Sequence, residues 1–78
     1  MQLTLYYFDV CLFCELVQSF MAKNHIALPM RNTHKDHGAQ DELIRIGGKP
    51  QVPCLVIDGK ALYESLDIIE WLKKNYKK

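Results

Sequence analysis

The chain has 78 residues, a formal net charge of +1, 49% hydrophobic and 24% charged residues. That composition reads as one globular domain, 1–78. It lacks the basic stripe that nucleic acid or a membrane surface requires, and no apolar run is long enough to span a bilayer. Three cysteines are an odd number, so they do not form the disulfide framework of a small secreted domain. A reducing cytoplasm is the expected setting.

Gln2 to Phe8 is apolar at nearly every position, which predicts a strand buried on both faces. It is too short for a signal peptide core and has no basic residues before it. From Leu12 to His25 the period changes. Leu16, Val17, Phe20 and Met21 form one helical stripe, and Asn24 suits the helix end. Ala27 to Thr33 is expected as a second strand, interrupted by Pro29. His34 to Gly38 is polar and loop-like. Ala39 to Ile46 is expected as a short helix ended by Gly47-Gly48.

Pro53 to Ile57 and Lys60 to Tyr63 are expected as strands joined at Asp58-Gly59, the strongest hairpin signal in the chain. Ser65 to Tyr76 is the last helix, with Ile68, Ile69, Leu72 and Tyr76 on one face. Ser65 is its expected N-cap, and Asp67 suits the positive end of the helix dipole. Lys73, Lys74, Lys77 and Lys78 are expected at its solvated end. The order is β-α-β-α-β-β-α, an α/β class. The first two strands should be parallel with a right-handed crossover, since a helix separates them.

Cys11 and Cys14 fall at the first strand-to-helix turn. A thiol beside unpaired helix N-terminal amides feels their partial positive charge, which favours thiolate, the nucleophilic form. Spacing of three then brings the second sulfur to the same side of the helix start. Cys11 could attack a disulfide and Cys14 could resolve the product. Two other readings stand beside this one. A closed structural zinc site needs four ligands, and Cys54, His25, His34 and His37 show no ligand pairing with the motif. Alternatively, all three cysteines are small buried hydrophobes.

Taken with the CxxC pair, Gln51-Val52-Pro53 and Tyr63-Glu64-Ser65 give a constellation that resembles a glutaredoxin. Glu64-Ser65-Leu66-Asp67-Ile68-Ile69 resembles especially the glutaredoxins related to the N-terminal domain of glutathione transferases. The resemblance covers essentially the whole chain. It implies a thioredoxin fold, with a four-stranded mixed sheet flanked by three helices, and a cis peptide bond before Pro53. It implies glutathione as co-substrate, bound through Phe13, Gln51, Val52, Pro53, Glu64 and Ser65. The backbone of Val52 would pair with the peptide, and Glu64 and Ser65 would meet the γ-glutamyl carboxylate. Gln40 aligns with a glutamine that contacts the glycyl end in some members.

Two positions depart from the family pattern. Leu12 stands where proline is usual, and Phe8 where many members carry a basic residue. The expected activity is a monomeric, metal-free, glutathione-dependent reductase of protein disulfides and glutathionylated proteins. An iron–sulfur carrier with glutathione ligands is the alternative, and a non-catalytic transferase-like binding module is a third reading. Cys54 and Trp71 are expected to pack.

Overall fold

The computed structural model describes residues 2–76. Lys77 and Lys78, expected in the solvated helix end, lie outside the described residues. The elements are β1 (Leu3–Tyr7), α1 (Leu12–Lys23), β2 (Met30–Asn32), α2 (Ala39–Gly47), β3 (Cys54–Ile57), β4 (Lys60–Leu62) and α3 (Ser65–Asn75). The sheet order is β2-β1-β3-β4. β1 runs parallel to β2 and antiparallel to β3, and β3 and β4 form an antiparallel hairpin.

Alternation along the central strands divides the core in two, because successive side chains leave opposite faces of a sheet. Leu5 and Leu55 oppose each other in register and face Val17 and Met21 of α1 and Ile68 and Leu72 of α3. Tyr6 and Cys54, the next pair, lie with Val56 against Ala39 and Leu43 of α2. The expectation that β1 is covered on both faces therefore holds at Leu5 and Tyr6, both buried. The α2 layer also has a polar tie. The Tyr6 hydroxyl donates to Glu42 Oε1 at 3.0 Å, and Arg31 of β2 grips the same carboxylate at 2.8 Å. Burial, then the bond to Glu42, raises the Tyr6 phenol above its usual range.

Several element ends differ from the sequence reading. β2 is only three residues long. Pro29 has no amide proton, so the parallel ladder begins at its carbonyl, which accepts from the Leu5 amide at 2.9 Å. α1 stops at Lys23. Asn24 caps it, its side chain donating to the Phe20 carbonyl at 2.8 Å, and His25 turns away at φ 56°. α2 runs one residue further than expected, with Gly48 as the left-handed cap and Gly47 inside the helix. Gly47 is there for space: a methyl on it would lie 2.7 Å from Tyr63 Cζ and 3.0 Å from Ala61 Cβ. Asp58 and Gly59 both take positive φ, 50° and 87°, as the two-residue hairpin expected of them requires.

Candidate active site

The end of β1 and the start of α1 deliver Cys11 as the N-cap residue of α1, in extended conformation. Its sulfur takes the role that a serine oxygen usually plays there: the Cys14 amide donates to Cys11 Sγ at 3.2 Å. A hydrogen bond from a helix N-terminal amide stabilises negative charge on that sulfur more than it stabilises the neutral thiol. The Cys11 thiol also points across to the Val52 carbonyl at 3.9 Å, a long contact even for sulfur. Cys11 is partly exposed, and Cys14 and Cys54 are buried; all three are free thiols.

The two motif cysteines thus occupy unlike environments. Cys14 is 1% exposed. Burial first, then hydrogen bonding with Cys11, pushes its thiol up to about 12. The outer sulfur can meet a substrate, while the inner one stays protonated beside it. Cys54 is buried against the α2 layer, and burial pushes it up to about 11. It packs, as expected, and so does Trp71, half-buried against the larger core.

Beside Cys11 lies a shallow cleft lined by Phe13, Gln51, Val52, Pro53, Tyr63, Glu64 and Ser65. Three separate parts of the sequence meet in it: the first turn of α1, the loop before β3 and the start of α3. The Val52–Pro53 peptide bond is cis. Phe13 is 58% exposed and forms one wall. Cys11 is not itself a lining residue; its contact with the Val52 carbonyl sets it at the edge of the cleft.

The start of α3 differs from expectation. Ser65 is not the N-cap; it is the first helical residue and is buried, and Glu64 takes the cap position without a side-chain hydrogen bond. The backbone amides of this helix end therefore have no side-chain oxygen of their own on them. That is the condition under which a helix N-terminus accepts an external carboxylate. Gln40 is exposed in the first turn of α2 and does not line the cleft.

Four residues around the site have contacts that the sequence did not indicate. Tyr63 lines the cleft, its hydroxyl donating to the Lys49 carbonyl at 3.0 Å with the Lys49 ammonium 4.6 Å from its ring centroid. Phe8 has a partner in His34, their ring centroids 3.7 Å apart. Asn32 and Lys35 both reach Asp9, two residues before Cys11. Tyr63, inside the Tyr63-Glu64-Ser65 motif, and Phe8, a departure from the family pattern, carried a sequence signal; Asn32 and Lys35 carried none. Among the described residues, no group of three or more histidine, cysteine, aspartate or glutamate side chains could hold a metal ion. No helix among them is long and apolar enough to cross a membrane.

A family model described as the glutathione S-transferase N-terminal domain matches residues 5–78. No curated protein sequence matches. Among solved structures, a thioredoxin-like protein crystallised as a point mutant is 25% identical, covers 97% of this chain and 100% of its own, and superposes with a TM-score of 0.78. A delta-class glutathione transferase from Nilaparvata lugens is 27% identical over 97% of this chain and 37% of that one, at a TM-score of 0.79. The holo form of a glutaredoxin from Populus tremula x tremuloides, 16% identical over 94% of this chain and 75% of that one, has a TM-score of 0.69 and shares the fold. The architecture is a thioredoxin fold, as the resemblance implied.

Proposed function

From the premise that the chain belongs to the glutathione S-transferase N-terminal domain family, we propose that it is a glutathione-dependent thiol–disulfide oxidoreductase of glutaredoxin type. The observation that carries this reading is the Cys11 sulfur itself. It is partly exposed, held by the Cys14 amide at 3.2 Å and set beside the cleft. A transferase that activates glutathione for addition needs no second thiol behind the first; a reductase of protein disulfides does.

The chemistry follows from that placement. Cys11 thiolate attacks the glutathione sulfur of a glutathionylated protein, and the protein thiolate leaves and takes up a proton. The Cys11–glutathione disulfide is then attacked by the thiolate of a second glutathione. Oxidised glutathione departs and Cys11 thiolate is restored. With a protein disulfide, Cys11 forms a mixed disulfide with one substrate sulfur. Cys14 gives up its proton, attacks the Cys11 sulfur and releases the reduced protein, leaving a Cys11–Cys14 disulfide that two glutathiones reduce. Loss of negative charge on Cys11 in the mixed disulfide removes the like-charge penalty on Cys14 just when it must ionise.

Glutathione would lie along the Gln51-Val52-Pro53 segment with its peptide on the Val52 backbone, as an added strand does. Its γ-glutamyl carboxylate would meet the amides at the start of α3, beside Glu64 and Ser65, and Phe13 would cover its thiol end. The protein would act as a monomer, without a metal, in a reducing cytoplasm, where such thiols stay free. The test is glutathione-coupled reduction of a small glutathione mixed disulfide and, separately, of a protein disulfide. Cys11→Ser should abolish both, whereas Cys14→Ser should keep the first and lose the second. Wild-type inactivity in both assays, or full activity in Cys11→Ser, would refute the reading.

A further inference from the structure

Asp9 sits two residues before the nucleophile, where its charge could oppose ionisation of Cys11. The last residue of β2 and the loop that follows it hold that carboxylate. Asn32 Nδ2 donates to Asp9 Oδ1 at 3.1 Å, and Lys35 Nζ pairs with Asp9 Oδ2 at 2.8 Å. Asn32 is 3% exposed and is itself fixed on every side. Its backbone amide donates to Asp36 Oδ2 at 2.7 Å, and its side-chain Oδ1 accepts from the His34 and Lys35 backbone amides at 2.9 and 3.0 Å. An asparagine side chain can make few bonds beyond these, so its orientation toward Asp9 is settled by the fold.

The alternative open to Asp9 is plain from its position. A short acidic side chain just ahead of a helix is drawn to the free amides of the first turn. In this chain the Cys14 amide serves the Cys11 sulfur. A released Asp9 carboxylate would compete for those amides and bring a like charge to the thiolate.

We infer that Asn32 and Lys35 are positioning residues that hold and neutralise Asp9, keeping it from the helix amides on which the Cys11 thiolate depends. The inference rests on the proposed role of Cys11 as nucleophile. Other titratable or charged groups on the surrounding elements are Tyr7 on β1, Cys14 and Glu15 on α1, Arg31 on β2 and His34, Asp36 and His37 on the β2–α2 loop. Tyr63, Glu64 and Asp67 lie at or just before the start of α3. None of these forms an ion pair with Lys35 among the described residues, so the Asp9–Lys35 pair can be altered singly.

The experiment is the rate of alkylation of Cys11 by iodoacetamide as a function of pH in the full chain, with the modified residue identified by mass. Lys35→Met and Asn32→Asp should each slow alkylation near neutral pH by about two- to tenfold and move the rate–pH curve upward, the range one nearby charge produces close to a protein surface. Adding Asp9→Asn to each should restore the wild-type curve. Unchanged curves in Lys35→Met, or no recovery with Asp9→Asn, would overturn the inference. Lys35 is exposed, so Lys35→Met decides the matter if Asn32→Asp does not fold. Alkylation needs no glutathione. A chain that shows the shift and its rescue but no glutathione turnover would sink the proposed activity and uphold this inference.

Discussion

Gly47→Ala tests the joint between α2 and the cleft. The added methyl would lie 2.7 Å from Tyr63 Cζ and closer still to its hydroxyl, so the ring must move. A moved ring gives up its bond to the Lys49 carbonyl, about 1 kcal/mol net, and the ammonium contact, about 0.5–1 kcal/mol at an exposed site. Lost packing of the half-buried ring adds about 1–2 kcal/mol. Alanine's helix preference returns up to about 1 kcal/mol. The net is a loss of about 2 kcal/mol, or roughly 8–16 °C in Tm for a chain of this size. Urea unfolding of wild type, Gly47→Ala, Tyr63→Ala and the double variant measures it. In the Tyr63→Ala background the tightest of the named contacts that remains is Ala61 Cβ, at 3.0 Å, so Gly47→Ala should cost less than about 0.5 kcal/mol. An equal cost in both backgrounds would show that the collision with Tyr63 is not the cause. Since Tyr63 lines the cleft, Gly47→Ala should also weaken glutathione binding, read by titration calorimetry.

Two further outcomes follow from local geometry. Stability should fall as pH rises from 9 toward about 11 and 12, because the buried Cys54 and Cys14 keep their protons when folded, whereas in the unfolded chain they ionise near 9. Unfolding then releases protons, and each such thiol contributes a slope of about 1.4 kcal/mol per pH unit within that window. Cys54→Ala should flatten the slope by that amount between pH 9 and 11, and denaturant titrations that keep the wild-type slope would argue against it. His25→Gly should stabilise the protein by about 1 kcal/mol, since His25 holds a left-handed φ of 56° that glycine adopts without strain; a lowered Tm would count against this.

Periodicity carried the element order, because burial on one helical stripe or two strand faces leaves its mark in the chain. The Asp58-Gly59 turn was readable for the same local reason: both residues must take positive φ. Element ends were less legible. Ser65 looked like an N-cap by type, yet its burial beneath the cleft shifted the cap to Glu64. Ala27 to Pro29 looked strand-like, but the ladder starts only where Pro29 offers its carbonyl. The named residues Phe13, Gln51, Val52, Pro53, Glu64 and Ser65 do converge, and only the resemblance, not spacing, pointed to that convergence. The support behind Cys11 was invisible. Asn32 and Lys35 are more than 20 positions from Asp9, and a parallel strand pairing that sets Tyr7 opposite Asn32 brings them together.

The unequal loading of the two sheet faces sets where this small protein can yield. α1 and α3 share seven buried core residues with the sheet and with the segment before β2, whereas α2 is pinned by Ala39 and Leu43 and a partly exposed polar clasp. Opening in such a structure begins where least apolar surface must be surrendered. α2 can therefore loosen while Cys11 and Cys14 stay seated at the start of α1, on the other layer. Changes confined to the exposed residues of α2, away from Gly47, should leave the seats of Cys11 and Cys14 undisturbed.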